Sequence, residues 1–287
     1  MSRRNTFRSF LKAGGIVLVV VILPLVVGIL LSLYLIPTPQ VAVIRIEGEI
    51  WGDYSAYISQ ALEQAEKDRA VRAVVLDIVS PGGEVTASED LYFAVLKLRA
   101  KKPVIASVDE LAASGAYYIA SAADQIYAKA ASVVGNIGVI SVLSDPDLVD
   151  EKLVTTGPFK LSGGSPEEQV RRMDMLKRSF LAAVLAQRGK RLRVGPEVLS
   201  RGEVYLGLQA QQEGLVDEIG SQGEAVAAAA RLARLRSYEV VDRTPQLPEG
   251  FSLFGFKLQS GSTAETVAAP PRQLPPGFYY RYVEPPQ

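Results

Sequence analysis

Ser114 stands in "VDELAASGAYYIASAAD", residues 108–124, with Ala112 and Ala113 before it and Gly115 after it. A hydroxyl so placed can act as a nucleophile if a base and a site for negative charge lie beside it. "AYYIASAAD" reads as a helix, which puts Ser114 at a helix amino terminus, where backbone N–H groups favour an anion. The structural alternative is a serine that only caps this helix. A second stretch, "IVSPGGEV" (residues 78–85), closes an apolar, strand-like run. Pro81 fixes one φ angle, and Gly82 and Gly83 permit positive φ, so the turn can aim bare N–H groups into a cleft. The N–H groups of Gly83 and Gly115 together would form an oxyanion hole, each donor contributing about 10²- to 10³-fold in rate.

The base cannot be imidazole, because the chain of 287 residues contains no histidine. A lysine whose charged form is desolvated is the best remaining acceptor. The residues alone leave Lys129, Lys152 and Lys160 open, with Lys160 favoured by the ordered, partly apolar approach of Thr156, Gly157, Pro158 and Phe159 in "TTGPFKLSGGSP". The absence of cysteine as well as histidine excludes disulfides, thiol nucleophiles and the usual zinc sites, and no cofactor is expected. No Asp-Thr-Gly, HExxH or GxSxG signature is present.

These residues need a scaffold, and the chain alternates strand and helix patterns. "QVAVIRIEGEI" reads as a strand, residues 54–67 as a helix, and "AVRAVVLDIVS" as a strand covered on both faces. "SEDLYFAVLKLRAKK" follows as a helix capped by Ser88, then "PVIASVDE" as a short buried strand. "QIYAKA" and "NIGVISVL" read as short strands. "SPEEQVRRMDMLKRSFLAAVLAQRGK" is a long helix opening at Ser165 and Pro166, with Met173, Leu176, Phe180, Leu181 and Val184 as its apolar stripe. "GLQAQQEGLVDEIG" reads as helix, turn and strand, and residues 222–236 form an alanine-rich helix before "YEVVD". This alternation predicts an α/β fold with a largely parallel sheet. The packed domain should end near Asp242. Residues 243–287 are rich in proline and glycine and should be irregular or extended, with Phe278, Tyr279, Tyr280 and Tyr282 either docking on a subunit surface or left loose.

Residues 13–36 carry no charge, and about 24 residues of helix reach roughly 36 Å against a hydrocarbon core of roughly 30 Å. Arg3, Arg4, Arg8 and Lys12 precede the run, so residues 1–12 are expected in the cytoplasm, with the rest of the chain beyond a single transmembrane anchor. Lys+Arg and Asp+Glu balance at 31 each, which argues against a nucleic-acid partner.

In this order and after such an anchor, "IVSPGGEV", "ELAASGAYYIASAADQIYA", "VGNIGVI" and "TTGPFK" resemble the signal peptide peptidase A (SppA) family of membrane-anchored serine proteases. The resemblance covers about residues 40–240. It implies a ClpP/crotonase-like fold of repeated β-β-α units, a Ser/Lys dyad and a ring-like homo-oligomer. It matches Ser114 to the nucleophile, Lys160 to the general base, and Gly83 with Gly115 to the oxyanion hole. Val79, Ala116 and Leu161 depart from the family pattern without removing a catalytic atom. The expected function is endopeptidase cleavage of signal peptides or other membrane-derived peptides, with Gly82, Ile137, Gly138 and Val139 lining an uncharged site for small or apolar side chains. The rivals are a crotonase-type acyl-coenzyme A enzyme, a stomatin-associated membrane protease, and an inactive oligomeric scaffold.

Overall fold

The computed structural model describes residues 18–28, 37–142, 159–160, 163–248 and 277–281. The chain divides into two units, residues 1–39 and 40–287. In the first unit the described part of the expected anchor is helical, a π-helical turn at Leu18–Ile22 followed by α-helix over residues 23–28. Its apolar side chains, among them Val20 and Leu25, are exposed. Among the described residues no helix is long and apolar enough to cross a membrane; the remainder of residues 13–36 lies outside them.

The second unit is built on a parallel sheet whose strands β1 (Gln40–Glu47), β2 (Val71–Ser80), β4 (Val104–Ala113), β5 (Gln125–Ala128), β9 (Glu218–Ile219) and β10 (Glu239–Asp242) lie in the order β10-β1-β2-β4-β5-β9. Two-residue periodicity sorts their side chains onto two faces. Ala42, Ile44, Ile46, Val74, Leu76 and Ile78 face one core, shared with helices α1 (Gly52–Lys67), α2 (Val85–Arg99), α3 (Gly115–Ser121) and α4 (Pro166–Arg188). Val41, Ala73, Val75 and Ile105 face the other, where the small side chains of α7 (Gln222–Leu232), including Ala225, Ala228 and Ala229, pack against them. This accounts for the nearly continuous apolar run of β2, whose residues are buried on both faces. Two short helices, α5 (Pro196–Leu199) and α6 (Gly207–Gln212), complete the described helices of this unit.

Three local departures from the sequence reading bear on the site. β4 does not stop at Glu110; it runs on to Ala113, because beyond Asp109 it exchanges β5 for a new neighbour, β6 (Val133–Gly135). The Ser132 hydroxyl lies 3.0 and 2.9 Å from the carbonyl oxygens of Val108 and Asp109 and serves as their donor where the exchange occurs. β6 also pairs with β8 (Val204–Leu206), antiparallel. Ser88 does not cap α2: the helix starts one turn earlier at Val85, and Ser88 is buried within it, donating to the Glu84 carbonyl at 2.8 Å. Among the described residues of "NIGVISVL", Ile140–Val142 forms a strand, β7, while Ile137 is buried in the core. Ser165 does cap α4, accepting from the Glu168 N–H at 3.3 Å.

A small second sheet holds β3 (Gly82–Glu84), β7 and a carboxyl-terminal strand, β11 (Gly277–Arg281), in the order β3-β11-β7 with both pairings antiparallel. The expectation that packing ends near Asp242 is therefore incomplete, since Phe278, Tyr279 and Tyr280 pack with the domain.

Arg188 ties α4 to the far edge of the parallel sheet. Its buried guanidinium donates to Asp217 at 2.6 and 3.1 Å and to the Gly214 carbonyl at 3.2 and 2.8 Å, and Asp217 also accepts from the Ile126 N–H at 2.7 Å. Removing one partner of a buried pair leaves the other uncompensated, which costs about 3–5 kcal/mol. Arg188→Ala is expected to lose that much, read as a lower midpoint in urea unfolding, whereas Arg178→Ala, on an exposed pair with Asp174, should change stability by less than about 1 kcal/mol.

Candidate active site

Ser114 lies at the junction where β4 ends and α3 begins, with φ 55° and ψ −120°. A non-glycine residue in this sparsely populated region costs about 1–3 kcal/mol and persists only where its surroundings impose it. The strands impose it here. The Ser114 N–H donates to the Gly135 carbonyl of β6 at 2.8 Å, and its own carbonyl accepts from Tyr118 at 2.9 Å. Its side chain does not cap α3, so the capping role is not what keeps a serine in this position. A sharp strand-to-helix turn of this kind is the geometry that presents a nucleophile at the end of a parallel sheet. In the single chain Ser114 is buried.

The two glycine-bearing segments meet at this junction. Gly82 has φ 92°, and a Cβ placed on it would overlap the Tyr280 carbonyl oxygen and come within 2.6 Å of the Gly115 nitrogen. A Cβ on Gly83 would overlap the Ile50 carbonyl, and one on Gly115 would overlap the Ser88 hydroxyl. The Gly82 N–H is taken by the Ser80 hydroxyl at 3.1 Å. On one edge of β3 the Gly82 carbonyl accepts from Ile50 at 3.0 Å and the Glu84 N–H donates to Ile50 at 2.8 Å. Successive peptide groups of an extended strand face opposite edges, so the Gly83 N–H points to the other edge, away from Ile50. That edge is the one along which β11 pairs, with Gly83 opposite Tyr280.

The expected base is less enclosed. Lys160 and Phe159 sit in a turn and both are exposed in the single chain, so the described residues do not give that amine the dry surroundings that a neutral lysine needs. Lys152 and residues 155–158 lie outside the described residues. Lys129, the third lysine weighed, pairs with Asp109. Of the residues expected to line the substrate site, Gly82 is at the junction, Ile137 is core, Val139 packs partly against the core, and Gly138 faces open space. Ile140–Val142, just beyond them, pairs with β11. Sequence reasoning missed Ser88 and Ile50 as the close neighbours of the glycines, and missed the place taken by Tyr280. The aromatic cluster at 278–282 was the available signal for the last.

Backbone cannot yield as a flexible side chain does. Gly83→Ala and Gly82→Ala should each cost about 1–3 kcal/mol, lowering Tm by about 2–4 °C per kcal/mol for a domain of this size. Gly138→Ala, whose Cβ meets nothing within 4 Å, should stay within about 0.5 kcal/mol of the parent; differential scanning calorimetry on the three variants checks this ranking.

The chain is similar to known peptidases. The model of peptidase family S49 matches residues 97–236, which span the end of α2 through α7 and include the Ser114 turn. A Methanocaldococcus jannaschii protein whose name carries the word protease is 36% identical over 219 residues, 71% of this chain and 70% of that one. Protease 4 of Salmonella typhi is 32% identical over 206 residues, 67% of this chain but 33% of its own length. Among solved structures, a membrane-bound stomatin-specific protease, 1510-N, superposes with a TM-score of 0.51 at 15% identity, covering 74% of this chain and 100% of that one, a likeness of fold alone. This extent of identity, together with the match of the family model across the Ser114 turn, leads to one assignment: the chain belongs to peptidase family S49, the SppA family of serine peptidases.

Proposed function

We propose that this protein is a membrane-anchored serine endopeptidase in which Ser114 and Lys160 form the catalytic dyad, acting on signal peptides or other membrane-derived peptides. The observation that carries the reading is the conformation of Ser114, held at φ 55° by its bond to Gly135 with the Gly115 nitrogen and the Gly82–Gly83 turn brought against it. The Ser114 hydroxyl attacks the substrate carbonyl and Lys160 takes its proton. The Gly83 and Gly115 N–H groups hold the oxyanion, and the lysine then returns the proton to the leaving amine. Acyl-enzyme hydrolysis repeats the cycle with water. For Lys160 to serve as base it must lose its solvent on assembly or on substrate binding, so homo-oligomerisation belongs to the same proposal. The uncharged run at residues 13–36 supports the anchor and an active site outside the cytoplasm.

A fluorophosphonate probe tests the nucleophile. Labelling, followed to completion, should occur on the parent chain and be absent from Ser114→Ala; equal labelling of both moves the nucleophile to another residue, and labelling of neither favours an inactive scaffold. Lys160→Ala should lower peptide cleavage by about 10²- to 10⁴-fold, the range for losing a general base, while Lys152→Ala keeps it. Cleavage retained by Lys160→Ala would return the role to another lysine.

A further inference from the structure

Lys+Arg and Asp+Glu balance over the whole chain, but the charge is not evenly spread. Three grooves run side by side across the end of the parallel sheet at which β2, β4, β5 and β9 begin. They are continuous, because Arg191 lines the first and the second, and Lys101 and Lys102 line the second and the third. Lys190 and Arg193 add to the first, Arg69 and Arg72 to the third. The opposite end, where the strands finish, carries Glu47, Glu49, Glu84 and Glu110.

Part of this basic edge serves the fold itself. Lys67 and Arg99 stand in the last turns of α1 and α2, where a cation complements the helix dipole. The carboxylates of the grooves are already engaged: Glu66 by Lys97 and Lys101, Asp68 by Arg243 at 3.1 Å, Asp124 by the Val104 N–H at 2.8 Å, and Asp217 by Arg188. Arg69, Arg72, Lys190 and Arg193 differ from these. They lie beyond the helix ends and are exposed, and among the described residues none has an ion-pair partner. Like charges gathered in this way repel one another unless an anionic surface covers them.

The place where the chain enters the domain indicates which surface. β1 begins at Gln40, whose N–H donates to the Ala70 carbonyl at 2.8 Å and which pairs with Val71, so it lies against the two residues between Arg69 and Arg72. Residues 37–39, which reach about 10 Å when extended, are all that separates Gln40 from the uncharged run at residues 13–36. Among the cations of the second and third grooves sits Leu232, 45% exposed, an apolar side chain better covered by lipid than by water.

We propose that this edge is a docking surface for the headgroups of an anionic phospholipid bilayer, the one that holds the anchor. This rests on the reading of residues 13–36 as a membrane anchor. With the anchor inserted, so short a tether keeps Arg69 and Arg72 within reach of the headgroups, and each cation near an anionic membrane surface favours the docked state about fivefold, an effect that fades beyond a Debye length of about 10 Å. β4 leads from Val104 at this edge to Ala113 beside Ser114, ten residues or about 30 Å. The docked domain therefore presents the Ser114 turn away from the headgroups, to peptides drawn clear of the bilayer.

The test uses the full chain in lipid nanodiscs. The chain has no cysteine, so Ala100→Cys, exposed at the end of α2, takes a single fluorescent donor, and a trace of headgroup-labelled lipid serves as acceptor. Energy transfer should be higher in discs of phosphatidylcholine mixed with phosphatidylglycerol than in phosphatidylcholine alone. The rise should vanish at about 1 M salt, where the Debye length falls to about 3 Å. Arg69→Gln, Arg72→Gln, Lys190→Gln and Arg193→Gln together should lower the ratio of docked to undocked domain at least tenfold, whereas a donor on Glu203→Cys, beside Asn136 at the other end of the sheet, should show no rise. Transfer from Ala100→Cys that is equal in the two kinds of disc, or that salt leaves unchanged, overturns the proposal and is the result expected if an acidic protein covers the edge instead. A chain that does not stay with phosphatidylcholine discs, yet associates with the anionic ones at low salt, would overturn the anchor and leave the docking edge standing.

Discussion

Four backbone segments approach one another at the Ser114 turn more closely than side chains would permit. The Ile50 bridge, the Gly82–Gly83 turn, the start of α3 and the strand at Tyr280 leave no space for a Cβ on Gly82, Gly83 or Gly115. Peptide N–H groups can converge on one point only if the atoms between them are absent, and glycine is the residue that removes them. The chemistry proposed for Ser114 depends on that convergence more than on any single side chain. An oxyanion is stabilised by donors fixed before charge develops, and backbone held on three sides reorganises little.

The strain at Ser114 follows from the same packing. β4 is paired along nearly its whole length, first to β2 and β5 and then to β6, and the bond from Ser114 to Gly135 belongs to that second pairing. The turn cannot relax without breaking it. Asn136, with φ 55°, continues the restraint on the other side, donating from its side chain to the Gly202 carbonyl at 2.7 Å. Local cost at the serine and its neighbour is thus offset by extended pairing of strands that the hydrophobic cores already hold in place.

The aromatic cluster links this centre to the long helix α4. Tyr118 follows Ser114 on α3, Phe180 comes from α4, and Tyr92 from α2 stacks on Tyr118 with centroids 4.4 Å apart. Such rings present broad, rigid faces and bury large areas. Three helices therefore form one wall, and Tyr280 from the tail fills the space against it.

Legible in the residues alone were the alternation of strands and helices, the two-faced burial of β2 and the capped start of α4 at Ser165, together with Ser114, Gly83 and Gly115 as the candidates now proposed for the chemistry. These are local properties: periodicity, capping and the conformational freedom of glycine act within a few residues. The extension of β4 to Ala113, the role of Ser88 inside α2, the exposure of Lys160 in the single chain and the return of residues 277–281 to a slot between β3 and β7 were decided only by tertiary structure. Each depends on a partner far away in the chain. A strand edge accepts any extended backbone that reaches it in register, and which one does so is a matter of three-dimensional closure.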